Sequence, residues 1–237
     1  MFTAIDVNLS VTDLLRCWVG RLVSREGLAW LDEKRKQIAG DADERSLFAA
    51  FSAVPRYTGK QNLTLTTEDL QIAEEVQPGW FPAHWSVDQA ARTLLLLALP
   101  SDNEEKYLRS LDKLFTAADV GELVALYQSL PLLPYPERLQ SRAAEGVRSN
   151  MTAVFNAVAL ENSYPADYFD DLAWNQMVLK ALFVGSPLHL IQGLERRANP
   201  ELARMLIDYA NERSAAKRSV SPELWTLVDW VMGNFKV

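Results

Sequence analysis

Cysteine and histidine are nearly absent from this sequence, which has one cysteine, Cys17, and two histidines, His84 and His189. A single cysteine cannot form a disulfide within the chain, and the apolar neighbours of Cys17 favour a buried side chain over a reactive thiol. Too few sulfur and imidazole ligands remain for a zinc cluster with the usual spacing. We therefore predict no metal ion and no cofactor.

The sequence also lacks an excess of positive charge and a long apolar run. The chain carries 24 Lys and Arg against 31 Asp and Glu, a net charge of −7. It therefore lacks the excess positive charge that nucleic-acid binding requires, and no nucleic acid is expected as a partner.

The longest apolar run, residues 94–99, is far shorter than the roughly 20 residues of a membrane-spanning helix. Residues 1–10 lack the features of a signal peptide. Together with the single cysteine, this favours a cytoplasmic protein without a transmembrane segment.

The sequence does contain a regular helical pattern. Apolar residues make up 49% of the chain, and they recur every three or four residues in blocks that begin with Ser, Thr or Asp, whereas strand patterns are almost absent. We predict an all-α fold of nine or ten helices in antiparallel pairs, arranged either as an α-solenoid-like stack or as an irregular helical bundle.

Two helices are predicted in the N-terminal region. Ser10 and Asp13 form a capping box for a long helix that extends to about Lys36 and is weakened in its middle by Gly27. The next helix is expected to end before Pro55, because the residue that precedes a proline avoids the helical conformation.

Further helix starts and one boundary follow from capping residues and prolines. Helices are predicted to begin at Thr66, Ser86, Ser101, Asp119, Asn199-Pro200 and Ser221-Pro222. Another helix is expected from Glu137 to about Leu160. The proline-rich segment 130–136 is the best internal boundary. The chain is therefore predicted either as a single all-α domain over residues 1–237 or as one subdivided at 130–136.

An uncharged helix is predicted in the stretch SNMTAVFNAVAL, residues 149–160. It is apolar or small nearly all round, which is typical of a buried central helix. Asn150 and Asn156 would then need internal partners, because an unsatisfied buried amide costs about 1–3 kcal/mol.

The helix LAWNQMVLKALF has the same character. Asn175 lies on an otherwise apolar face, and Gln176 and Lys180 share another face. Two roles stay open for these amides. They line a pocket for a small polar molecule, which Lys180 and His189 could join, or they clamp a backbone carbonyl or a helix end, as most buried side-chain hydrogen bonds do.

Arg196 and Arg197 directly precede the helix start at Asn199-Pro200. An anion bound there would meet two guanidinium groups and a helix N-terminus. The alternative is that both arginines pack against complementary acidic residues or lie on a solvated helix face.

Trp80, Phe81 and Trp85 lie together in a proline-containing loop. They are candidate partner-binding residues, since Trp and Phe often anchor interfaces. Alternatively, the loop folds back and both tryptophans join the core.

No catalytic motif is present in the sequence. It has neither a His-Glu-x-x-His pair nor a glycine-rich phosphate loop, and we predict no catalytic residue. The alternative is an enzyme with an amide-lined pocket, in which Lys180, His189 or Asp171 acts as acid or base.

Several segments of the C-terminal half resemble the EboA family of bacterial proteins. They are NQMVLKALF (175–183), GSPL (185–188), IQGL (191–194) and RRANPELARMLIDYANER (196–213), with NMT (150–152) and FNA (155–157) upstream. The resemblance implies a role in moving secondary-metabolite precursors from the cytoplasm toward the periplasm, beside co-encoded prenyltransferase-like and TIM-barrel proteins. It implies no reaction.

The residues and the resemblance together predict a non-enzymatic accessory protein of metabolite traffic. Its expected partner is a small metabolite or a co-encoded pathway protein. The alternatives are the enzyme described above and a helical scaffold or adaptor that docks through the Trp80 loop.

Overall fold

The computed structural model describes residues 9–40 and 44–235. Regular structure in these residues is helical, apart from one isolated β-bridge between Asn62 and Ser86. The predicted all-α class is therefore confirmed, but the described residues form fourteen α-helices rather than nine or ten. The chain divides into two compact units, Met1–Tyr135 and Pro136–Val237.

The first unit contains seven α-helices. They are α1 (Val11–Gly20), α2 (Arg25–Ala39), α3 (Glu44–Thr58), α4 (Thr67–Val76), α5 (Val87–Leu96), α6 (Glu104–Ala117) and α7 (Val120–Gln128), followed by a 3₁₀ turn at Leu130–Leu132. Helix α5 is the centre of this unit, since it contacts α1, α2, α3 and α7. All its residues except Gln89 are buried.

The long helix predicted from Ser10 is two helices, α1 and α2. The chain turns between them, and Ser24 starts α2 by accepting a hydrogen bond from the backbone N–H of Gly27. Gly27 has a packing role that the sequence pattern does not indicate, because a Cβ at this position would lie 2.4 Å from the carbonyl oxygen of Tyr57. Glycine therefore allows the end of α3 to approach α2 closely.

The expected end of a helix before Pro55 is wrong, because Pro55 lies inside α3. A proline in a helix removes the N–H that would bond to the carbonyl four residues earlier. Here that carbonyl belongs to Phe51, and it accepts a hydrogen bond of 3.2 Å from Nε of the buried Arg92 instead. A side chain on α5 thus replaces the backbone donor that Pro55 lacks.

The second unit contains the other seven α-helices. They are α8 (Gln140–Arg148), α9 (Thr152–Ala159), α10 (Tyr164–Tyr168), α11 (Asp171–Val184), α12 (Leu194–Arg197), α13 (Pro200–Ala215) and α14 (Pro222–Phe235), with 3₁₀ turns at Pro136–Arg138 and Leu188–Leu190. Helix α9 contacts α8 and α11, and α11 also contacts α13.

Most of the predicted helix starts are confirmed, but two predictions need correction. Asn103, rather than Ser101, caps α6 by accepting a hydrogen bond from the Lys106 N–H. The helix expected from Glu137 to Leu160 is interrupted at residues 149–151, between α8 and α9.

The burial expected for Cys17 is also wrong, because its side chain is exposed on α1. Within the described part of the chain, no helix combines the length and the apolar character needed to cross a membrane. Residues 1–10, which are predicted to lack a signal peptide, lie largely outside the described residues.

Candidate functional site

A groove of about 520 Å³ lies beside α9 and α11 in the second unit. We call it the α9/α11 groove. Its described lining residues come from the segment before α9, from α9, from α11 and from α13: Ser149, Asn150, Thr152, Phe155, Gln176, Leu179, Lys180, Phe183, Val184 and Tyr209. On α11, positions 176, 179, 180 and 183 share one face because helix neighbours recur every three or four residues.

The groove combines an apolar body with amide and hydroxyl groups. Phe155 is buried, and Phe183 is exposed over 74% of its surface. The amides of Asn150 and Gln176 are exposed. Of the ten described lining residues, only Lys180 carries a charge. Apolar walls with a few polar groups are the usual composition of small-molecule sites, which span about 300–1,000 Å³.

Lys180 holds the end of α8 in place. Its ammonium donates hydrogen bonds to the carbonyl oxygens of Val147, at 2.5 Å, and Ser149, at 2.8 Å. It also lies 5.2 Å from the centre of the Phe155 ring. Burial lowers the pKa of this amine. The amine is thus committed to the backbone where α8 ends, which explains how the chain can turn between α8 and α9.

Asn175 is 2% exposed and does not line the groove. It exchanges two hydrogen bonds with Asn199, of 3.1 and 2.9 Å. Asn199 in turn accepts a hydrogen bond from the backbone N–H of Leu202 and so caps α13. Asn175 therefore orients the residue that caps α13. This arrangement corresponds to the alternative in which the amide clamps a helix end rather than lining a pocket.

The other two predicted asparagines differ in burial. The expectation that Asn150 is buried is wrong, because it is exposed at the groove. Asn156 is half-buried, and its side-chain oxygen accepts a hydrogen bond of 2.6 Å from the Ser186 hydroxyl.

His189 lies outside the groove. Its Nδ1 is 3.0 Å from a carboxylate oxygen of Glu223 at the start of α14. Of the four residues Asn150, Asn156, Asn175 and His189, only Asn150 is among the described lining residues of the groove. Within residues 9–40 and 44–235, no group of three His, Cys, Asp or Glu side chains could hold a metal ion.

Arg196 and Arg197 are occupied by partners of the same unit. Arg196 donates to Asp167 at 2.6 Å. Arg197 donates to the carbonyls of Ala166 and Phe169, at 2.8 and 2.9 Å, and to Asp171. These contacts support complementary packing, since Arg197 holds the chain around the end of α10.

The tryptophans of the first unit belong to its core. Trp80 and Trp85 are buried, and the Trp80 ring lies 5.3 Å from that of Trp18. Phe81 is 37% exposed. The burial of both tryptophans favours the core alternative over a docking surface.

A larger cavity of about 850 Å³ lies in the first unit, and none of the candidate site residues is among its described lining residues. Charged residues of both signs line it, among them Glu44, Arg45, Glu105, Lys106 and Arg109. Several of these charges are paired, as in the 2.5 Å contact between Arg109 and Glu105. The sequence signal is the mixture of acidic and basic residues at 104–109, which is also typical of a solvated helix face.

Comparison with known proteins yields a family rather than an individual relative. The family model described as metabolite traffic protein EboA matches residues 11–229, which include every residue of the α9/α11 groove. No curated protein and no solved structure matches the chain.

Proposed function

Because the chain belongs to the EboA family of metabolite traffic proteins, we propose that it is a carrier that holds one metabolite in the α9/α11 groove and releases it unchanged. The proposed cargo is a secondary-metabolite precursor that moves from the cytoplasm toward the periplasm. In this proposal the chain is loaded in the cytoplasm and hands its cargo to a co-encoded pathway protein.

The observation that carries this proposal is the composition of the groove. Asn150, Gln176 and Lys180, named as ligand-binding candidates from the sequence, lie at one cavity of about 520 Å³. Its walls offer apolar contact and amide hydrogen bonds, which bind a small molecule without requiring chemistry.

The positions of the candidate acids and bases favour a carrier over an enzyme. Lys180 donates to two backbone carbonyls, His189 is paired with Glu223 outside the groove, and Asp171 is paired with Arg197. General acid-base catalysis needs such groups within hydrogen-bond reach of one substrate, and these three are engaged at separate places.

The test is retention of a metabolite by the purified chain. The chain is incubated with a small-molecule extract of its source organism and separated by gel filtration, and the bound molecules are released and identified by mass spectrometry. We expect one molecule to be enriched on the wild-type chain.

Two variants of α11 make this test specific for the groove. Gln176→Trp fills the groove from an exposed position, whereas Leu172→Trp adds the same ring at a position that is 69% exposed and outside the groove lining. Gln176→Trp should abolish retention and Leu172→Trp should preserve it. Equal retention by both variants, or no enriched molecule at all, would contradict the proposal.

A further inference from the structure

We propose that the α9/α11 groove selects uncharged metabolites that combine an apolar body with a hydrogen-bonding edge. This inference rests on the carrier function proposed above and names the chemical class of its cargo.

The described lining residues offer an anion a single positive group, the Lys180 ammonium, and that group already has partners. Lys180 is its only charged residue among those described, and a lysine ammonium has three hydrogens to donate. Two of them point to the carbonyl oxygens of Val147 and Ser149, and the ammonium also lies over the Phe155 ring. An anion that engages more than the third hydrogen would have to draw Lys180 away from the end of α8, which would leave two carbonyls without their donor.

A cation is disfavoured for the opposite reason. None of the described lining residues carries a carboxylate, so a bound cation would meet no counter-charge. It would also lie in the same groove as the Lys180 ammonium. Burying a charged group without a partner is costly, and like charges at short range add to that cost.

The uncharged lining residues indicate what the ligand does contact. Phe155, Leu179, Phe183 and Val184 present aromatic and aliphatic surface. Phe183 is largely exposed, and covering such surface favours binding. This surface fits an apolar or aromatic body.

The polar edge is supplied by amides. Asn150 and Gln176 are exposed at the groove, and each amide both donates and accepts hydrogen bonds. Such groups match carbonyl, hydroxyl or amide groups of an uncharged ligand. The cargo class is therefore a neutral aromatic or aliphatic molecule with a few carbonyl or hydroxyl groups.

A pair of fluorescent probes with the same ring system tests this selectivity on the full chain. N-phenyl-1-naphthylamine is uncharged, and 1-anilinonaphthalene-8-sulfonate adds one sulfonate to the same body. Both increase in fluorescence in apolar surroundings, so their dissociation constants can be measured by titration. We expect the uncharged probe to bind at least about tenfold more tightly than the sulfonate.

Binding is assigned to the groove by the two α11 variants. The affinity for the uncharged probe should fall at least about tenfold in Gln176→Trp and should change less than twofold in Leu172→Trp. This comparison also separates the groove from the charged cavity of the first unit, which neither substitution touches. Circular dichroism of both variants checks that the helices are intact.

The outcomes distinguish this inference from the function on which it rests. Sulfonate binding that is as tight as that of the uncharged probe, and that Gln176→Trp abolishes, would overturn the charge selectivity while the carrier function stands. If Gln176→Trp weakens the binding of neither probe, the inference is overturned. If the wild-type chain also retains no metabolite from the extract, the carrier function is overturned as well.

Discussion

The ammonium of Lys180 lies 5.2 Å from the centre of the Phe155 ring, and both side chains line the α9/α11 groove. The same ammonium donates to the backbone where α8 ends. One residue therefore shapes the groove and stabilises the turn between α8 and α9. Two of the three ammonium hydrogens are therefore committed to the backbone rather than to a ligand.

Removing the amine of Lys180 should destabilise the second unit. Lys180→Met keeps the aliphatic stem but leaves the carbonyls of Val147 and Ser149 without their donor, so we expect the free energy of unfolding to fall by about 1–3 kcal/mol. Urea unfolding followed by circular dichroism measures this change. Lys60→Met, at an exposed lysine, is the matched control and should change stability by less than about 0.5 kcal/mol. Equal stability of the two variants would refute the assigned role of Lys180.

Two asparagines should respond in opposite ways to the same substitution. Asn175→Ala removes the two hydrogen bonds that orient Asn199, the cap of α13, and should lower the free energy of unfolding by about 1–3 kcal/mol. Asn150→Ala should leave stability nearly unchanged, because Asn150 is exposed, and should weaken ligand binding. Thermal unfolding and probe titration of both variants measure the two effects. A stable Asn175→Ala variant that has lost ligand binding would show that Asn175 belongs to the binding site instead.

Arg92 should be essential for the first unit. It is buried, and it donates to Asp88 at 2.6 Å and to the Phe51 carbonyl that Pro55 leaves without a backbone donor. Arg92→Met leaves the buried Asp88 carboxylate without its cationic partner, with the Ser86 hydroxyl still donating to it, so we expect a loss of about 3–5 kcal/mol in the free energy of unfolding. Chemical unfolding compares it with Arg56→Met at an exposed arginine of α3. A loss below about 1 kcal/mol for Arg92→Met would argue against this role.

The fold could be predicted where the signals are local. Thr66, Asp119 and Asn199 accept hydrogen bonds from backbone N–H groups within the first turns of α4, α7 and α13, and such caps depend only on neighbouring residues. The errors at Pro55 and in the stretch from Glu137 to Leu160 have long-range causes. At Pro55 the distant Arg92 supplies the donor that the proline lacks, and at the end of α8 the distant Lys180 donates to the carbonyls of Val147 and Ser149.

The groove could be predicted only in part, for a related reason. Gln176 and Lys180 stand out because they share a face of an otherwise apolar helix. Phe183 could not be recognised, because sequence patterns assign large apolar residues to the core, whereas Phe183 is exposed. Tyr209 joins the groove only because α11 contacts α13, and that contact is not encoded locally.

The central claim is that the chain carries one metabolite in the α9/α11 groove without altering it. The most direct measurement loads the purified chain with the molecule recovered from the extract, releases it after incubation, and compares its mass and amount with those of the input. The carrier account predicts an unchanged mass, one molecule per chain, and no loading of Gln176→Trp beside normal loading of Leu172→Trp. A product of different mass that forms on the wild-type chain and not on Gln176→Trp would contradict it and show that the groove is an active site.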